Sequence, residues 1–370
     1  MVERVTRPGL HTAVLARDGV RELFITAVPC DGQEGLEVVF RRAVSAVADA
    51  GAVIVAQDVF GIPCQRKEGQ ESLGRVCGDV RWPVTWLEER AGQGERLTGT
   101  TLHAVSGTTV EPIRLDGRVV GTVFEDDCAR WCRLGDIRPD DPSLSNEEQA
   151  RYVFEMMERG LASAGMSFSH VLRTWLYIDR ILSWYGRFNA VRTAFFKERR
   201  VFDGLVPAST GIGGSNAAGT AVIADALAMR SDSGRVKVFP VPSPLQCPAL
   251  AYGSSFSRAV EVDGGRWRRL LVSGTASISP DGKTVHIGEM EKQVALTMDV
   301  VEAILVSRGM SWQDATRAVV YVKHGADAGV FRQYCEQRGL AFLPAVVAEN
   351  DICRDDLLFE IEVDAAVACG

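Results

Sequence analysis

Residues 165–177, GMSFSHVLRTWLY, return at 309–321 as GMSWQDATRAVVY. Gly165/Gly309, Met166/Met310, Ser167/Ser311, Arg173/Arg317 and Tyr177/Tyr321 match without a gap. An internal repeat constrains a fold more than any single motif, because each copy is one structural unit that packs on its neighbours. Upstream of the first copy come strand-like ARWCRLGDI (129–137) and helix-like NEEQARYVFEMMERGLASAG (146–165). Upstream of the second come RRLLVSGTASI (268–278) and EMEKQVALTMDVVEAILVSRG (289–309). Val153, Met156, Met157 and Leu161 in one helix, and Val294, Met298, Val301 and Ile304 in the other, form one apolar stripe each for packing on a sheet.

Downstream, each copy continues with a strand, a second amphipathic helix (about 183–198 and about 327–338) and a Pro-Ala step, Pro207-Ala208 or Pro344-Ala345. One or two strands close each copy. The order ββ-α-β-α-ββ predicts an α+β fold, with mixed sheets carrying helices on one face. A fainter third copy opens the chain as RELFITAV (21–28), GLEVVFRRAVSAVADAG (35–51) and AVIVAQDVFGI (52–62). Three units are therefore expected, over 1–110, 111–234 and 235–370, with SDSGR (231–235) as a polar break. Residues 63–100, rich in Gly, Arg and Glu, read as an insertion or long loop in the first unit.

The 370 residues suffice for two or three domains, and their composition is that of a water-soluble globular chain. Neither a bilayer-length apolar run nor a signal-peptide pattern is found, so a cytoplasmic protein without membrane association is expected. A net charge of −7 argues against general nucleic-acid binding, yet leaves room for a small anionic substrate held by local arginines. The nine cysteines are irregularly spaced and the five histidines form no metal motif, which predicts free thiols, no metal and no cofactor. TGIGGSNAAG (210–219) follows Pro207 rather than opening a dinucleotide-binding helix, and reads as a tight turn.

The VSGTASI strand, the helix containing Gln293, the YVK strand and the closing RDDLLFEIEV resemble the Rid (YjgF-like) superfamily. The resemblance covers the third unit fully, the second well and the first loosely. Rid proteins are usually trimers of one domain with ligand sites between subunits. Three Rid-like units in one chain imply an intramolecular pseudo-trimer, as a monomer or a low-order homo-oligomer. Rid imine deaminases carry an arginine just after the Pro-Ala step, whereas this chain has Ser209 and Val346 there. Ordinary imine deaminase activity is therefore not expected.

Ile352 to Glu362, ICRDDLLFEIE, is similar to the ending of chorismatases, the Rid-fold chorismate hydrolases of secondary metabolism. RTW-x-Y (Arg173, Thr174, Trp175, Tyr177), TGIG beginning Thr210-Gly211, and Tyr252-Gly253 with Phe256, Arg258 and Ala259 also resemble that family. The resemblance makes Glu360 the general acid. It pairs Gly274 with Cys353, the combination that accompanies 3-hydroxybenzoate formation. The family's tyrosine-glycine segment is typically longer and holds a further arginine ahead of the Arg258 position, which YGSSFSRA (252–259) lacks.

The residues support the same acid independently. Alternation in LLFEIEV places Leu357, Phe359, Ile361 and Val363 toward the helices, and Leu358, Glu360 and Glu362 toward a cleft between units. A partly desolvated carboxyl beside another carboxyl stays protonated near neutral pH. The expected catalytic positions are Glu360 and Cys353, the thiol shaping the ring pocket rather than attacking. The expected substrate contacts are Arg173, Tyr177, Thr210, Gly211, Tyr252, Arg258, Gly274 and Arg354. For Glu362 the expected partners are arginines, and for Arg317 a structural role. Trp184-Tyr185 and Phe195-Phe196 are expected to pack within a helix layer.

Overall fold

The computed structural model describes residues 2–17, 19–31, 34–61, 66–89 and 97–369. The duplicated block explains itself on inspection of its backbone. The long helices α3 (Asn146–Ser163) and α5 (Met290–Ser307) are followed by Gly165 and Gly309 at φ 70° and 64°, a left-handed stop that glycine adopts without strain. Met166 and Met310 then donate back to Leu161 and Leu305 and are buried. Ser167 and Ser311 each cap a short turn that feeds strands β10 (Val171–Ile178) and β16 (Ala315–Val322).

Eighteen described strands form three six-stranded sheets of one plan, over residues 2–106, 110–230 and 237–368. The third unit shows it. β13 (Lys237–Val241), β14 (Ala259–Asp263) and β15 (Trp267–Ala276) precede α5; β16, α6 (Ala328–Gln337), β17 (Ala345–Glu349) and β18 (Phe359–Ala368) follow. The spatial order is β13-β14-β15-β18-β16-β17, antiparallel except for β16 with β17. The second unit repeats it with β9 (Arg130–Ile137), α3, β10, α4 (Tyr185–Glu198), β11 (Ala208–Gly213) and β12 (Val222–Arg230).

Two expectations need correcting. The second and third units open with one strand more than predicted, Val110–Leu115 and β13, and the first with two, Val2–Arg7 and Leu10–Arg17. The outermost strand of each unit is a sheet edge, and two of these edges contain proline, which cannot serve a central ladder. Residues 63–100 also hold this unit's own second helix, α2 (Arg66–Cys77), and its parallel strand β5 (Val84–Glu88). Residues 62–65 and 90–96 of that stretch lie outside the described residues.

Helices cover one face of each sheet, burying the predicted stripes of α3 and α5 completely. The opposite faces of all three sheets meet in a central core that includes Phe24 and Phe60, Trp131 and Tyr177, and Trp267 and Tyr321. A pseudo-trimer within one chain is the result. Its axis also buries charge: Asp58 of the first unit binds Arg133 of the second and Arg317 of the third. Buried pairs of this kind specify one packing arrangement more than they add stability.

Candidate active site

Between the second and third units lies a cavity of about 220 Å³. The second unit supplies the first turns of α4 and strand β11, and the third supplies residues 252–258, β15 and residues 353–360. The edges are joined by backbone pairing of Ala208 with Ser257 and by Ser209 N–H donating to Ser273 Oγ at 2.9 Å. Strand β15 bulges between Val272 and Thr275, so Ser273 and Gly274 leave the regular ladder there. The freed Gly274 N–H donates across the interface to Thr210 Oγ1 at 3.1 Å.

Glu360 enters the cavity from the start of β18. Gln293 of α5 fixes its approach, accepting from Leu358 N–H at 2.8 Å and donating to Asp356 O at 2.9 Å. Its carboxyl lies over Gly274, where any Cβ would overlap Oε1. Only 4% of Glu360 is exposed. Burial above all, with the neighbouring Glu362 charge, raises its pKa to about 8, although Arg173 and Arg258 pull the other way.

Seven of the predicted residues line this cavity: Glu360, Cys353, Gly211, Tyr252, Arg258, Gly274 and Arg354. Burial first, then the Glu360 charge, pushes the Cys353 thiol up to about 12, so it remains a neutral wall. Arg258 donates through Nε and Nη2 to Cys247 O and lies 5.5 Å from the Tyr252 ring centre. Arg354 donates to Gly282 O at 2.9 Å and lies 5.7 Å from the Tyr252 ring centre.

Three predicted contacts lie elsewhere. Arg173 is fully buried behind the wall, donating to Val272 O, Thr210 Oγ1 and Glu362 Oε2 at 2.6, 2.7 and 3.0 Å. Thr210 turns the same way, toward Glu362 and the Gly274 N–H. Tyr177 belongs to the central core. All eight β10 residues are buried, so alternation alone did not separate cavity from core. Leu357 is also corrected: it precedes β18 and lines the cavity instead of facing the helices. Glu362 has its arginines, Arg173 and Arg317, and Arg317 is structural as expected.

α4 supplies what the sequence did not reveal. Tyr185, expected to pack in the helix layer, borders the cavity with Asn189 and Arg192, while Trp184, Phe195 and Phe196 stay in the core. Arg192 is 1% exposed. Its Nη2 donates to Asn189 Oδ1 at 2.6 Å and its Nε has no acceptor. Burial lowers its pKa, partly offset by Tyr185. Among the described residues no carboxylate forms an ion pair with Arg192, Arg258 or Arg354. The signal was an arginine among Phe188, Phe195 and Phe196 on the buried stripe of α4.

No family model matches the chain. A 3-hydroxybenzoate synthase of Streptomyces hygroscopicus is 30% identical over 246 residues, 58% of this chain and 67% of that protein. A chorismatase of Streptomyces rapamycinicus is 28% identical over 218 residues, 53% of this chain and 64% of that protein. The chain belongs to the chorismatase family. A crystal structure of a chorismatase shares the fold, with a TM-score of 0.62 over 84% of this chain and 92% of that one at 20% identity. The matched segments span 60 to 67% of the curated relatives' own lengths. Within the described residues of this chorismatase-family chain, no helix is long and apolar enough to cross a membrane.

Proposed function

We propose that the protein releases pyruvate from chorismate, or from a closely related enol-ether dicarboxylate, with Glu360 as general acid. One observation carries this: a single acid raised to about 8 stands in a cavity whose other charges are three arginines without carboxylate partners among the described residues. Buried Arg192 and Arg258 and half-buried Arg354, with no ion pair among the described residues, match an anionic ligand. Arg192 on one wall, and Arg258 with Arg354 on the other, provide for two carboxylates. The chain thereby has a cation for each even though YGSSFSRA lacks the family's additional arginine.

In the reaction, the Glu360 proton passes to the terminal methylene of the enol ether, making a methyl group and an oxocarbenium carbon. The Glu360 carboxylate left behind and the substrate carboxylate offset that positive charge. If water then adds to this carbon, its ether bond breaks, yielding pyruvate and a dihydrodiol. If the neighbouring ring hydroxyl instead leaves as water while the ring carbon bearing the ether gives up its proton, the ring aromatises. One water then adds to the oxocarbenium carbon, the ether bond breaks and the proton is returned, so pyruvate and a hydroxybenzoate account for every atom of chorismate, with no net water. The Gly274 and Cys353 pairing favours the second outcome.

The test is incubation with chorismate, measuring pyruvate and aromatic products, beside semicarbazide trapping with amino-acid imines. Pyruvate with 3-hydroxybenzoate, and no imine turnover, is the expected result. Imine turnover without pyruvate would replace this reading with a deaminase.

A further inference from the structure

One buried acid transfers no proton in the chemistry above. Glu362 lies two residues beyond Glu360 on the same face of β18, about 7 Å along the strand. It is fully buried and binds Arg317 Nη1 at 2.6 Å, Arg173 Nη2 at 3.0 Å and Trp175 Nε1 at 3.0 Å. The Thr210 hydroxyl donates to it as well. Burial alone would neutralise this carboxyl, but Arg317 and Arg173 outweigh burial and keep it ionised. Thr210 Oγ1 in turn accepts the Gly274 N–H at 3.1 Å, and Gly274 is the surface on which the Glu360 carboxyl lies.

We propose that Glu362 is a positioning residue for the proton donor: its fixed negative charge favours protonated Glu360, and through Thr210 it holds the Gly274 backbone beneath that carboxyl. The assignment rests on Glu360 being the acid. Facing Glu360 from the other elements are Tyr321 of β16, Tyr185 of α4, Cys353, Arg173 of β10 and the three cavity arginines. Burial keeps the two phenols and the thiol neutral, while Arg173 and Arg258 favour the carboxylate form. Glu362 is the negative charge that opposes them.

The decisive variant is Glu362→Gln, read by the pH dependence of pyruvate release and by infrared titration of the protonated Glu360 carboxyl. That band is assigned by its loss in Glu360→Gln. Glu362→Gln is expected to move both titrations down by about one to two pH units, with KM within about threefold. Unchanged titrations overturn the proposal. If Glu362→Gln does not fold, Thr210→Val and Thr210→Ser decide. Thr210→Val lowers kcat roughly tenfold at constant KM and Thr210→Ser restores it, whereas an unaltered kcat in Thr210→Val overturns the proposal. The infrared titration needs no turnover, so absence of pyruvate from the wild type refutes the chorismate reading without deciding this one.

Discussion

Replacing Arg192 by methionine is expected to weaken catalysis and stabilise the fold at once. The guanidinium is 1% exposed, donates to Asn189 Oδ1 at 2.6 Å and interacts with the neutral Tyr185 hydroxyl, has an Nε with no acceptor, and packs among Phe188 and its neighbours. In the free protein it is a desolvated charge with no opposite charge beside it among the described residues. Methionine has similar length and no charge, so Arg192→Met should raise unfolding stability by about 1–2 kcal/mol. A charge-assisted hydrogen bond to a substrate carboxylate contributes about 1.5–3 kcal/mol, so kcat/KM should fall roughly 10- to 150-fold. Most of the fall belongs in KM, since the contact exists before the proton moves. Thermal unfolding and steady-state pyruvate release measure the two effects on the same preparation. A destabilised variant with unchanged KM would refute the reasoning, because Arg192 would then be a structural cation.

The pH response follows from Glu360. With a folded pKa of about 8 against an ordinary 4.5, the folded state binds the extra proton between these values. Stability should therefore fall as pH rises from about 4.5 to 8, by up to about 1.4 kcal/mol per unit. Glu360→Gln should flatten that slope in denaturation curves, while wild-type kcat/KM should fall about tenfold per unit above pH 8. Gly274→Ala forces the Glu360 carboxyl aside and should lower kcat roughly tenfold or more with little change in KM, as initial rates will show. Cys353→Ala should retain pyruvate release within about fivefold, because a thiol titrating near 12 supplies no nucleophile.

The architecture was legible because the repeated block is scaffold. Gly165 and Gly309 stop helices, Met166 and Met310 close the cap, and Tyr177 and Tyr321 meet in the core. Such requirements leave the same residues in each copy. Polar elements were less visible: α2 reads RKEGQESLGRVC, with little apolar stripe to mark it. Glu360 was legible because strand period places it opposite Phe359 and Ile361, which pack against the helices. Arg173 was misplaced, and Arg192 was not singled out, for a related reason. β10 is buried along its whole length and Arg192 lies on the buried stripe of α4, and sequence spacing tells that an arginine needs an anion without telling whether a neighbouring unit supplies it. For Arg173 the anion is Glu362.

The most direct test is single-turnover incubation of chorismate with excess wild-type protein and with Glu360→Gln, following pyruvate and substrate binding together. The account predicts stoichiometric pyruvate from the wild type. It predicts at least a thousandfold slower release from Glu360→Gln with binding retained, on the order of the larger losses seen when a general acid is removed. Pyruvate release by Glu360→Gln at the wild-type rate would contradict it.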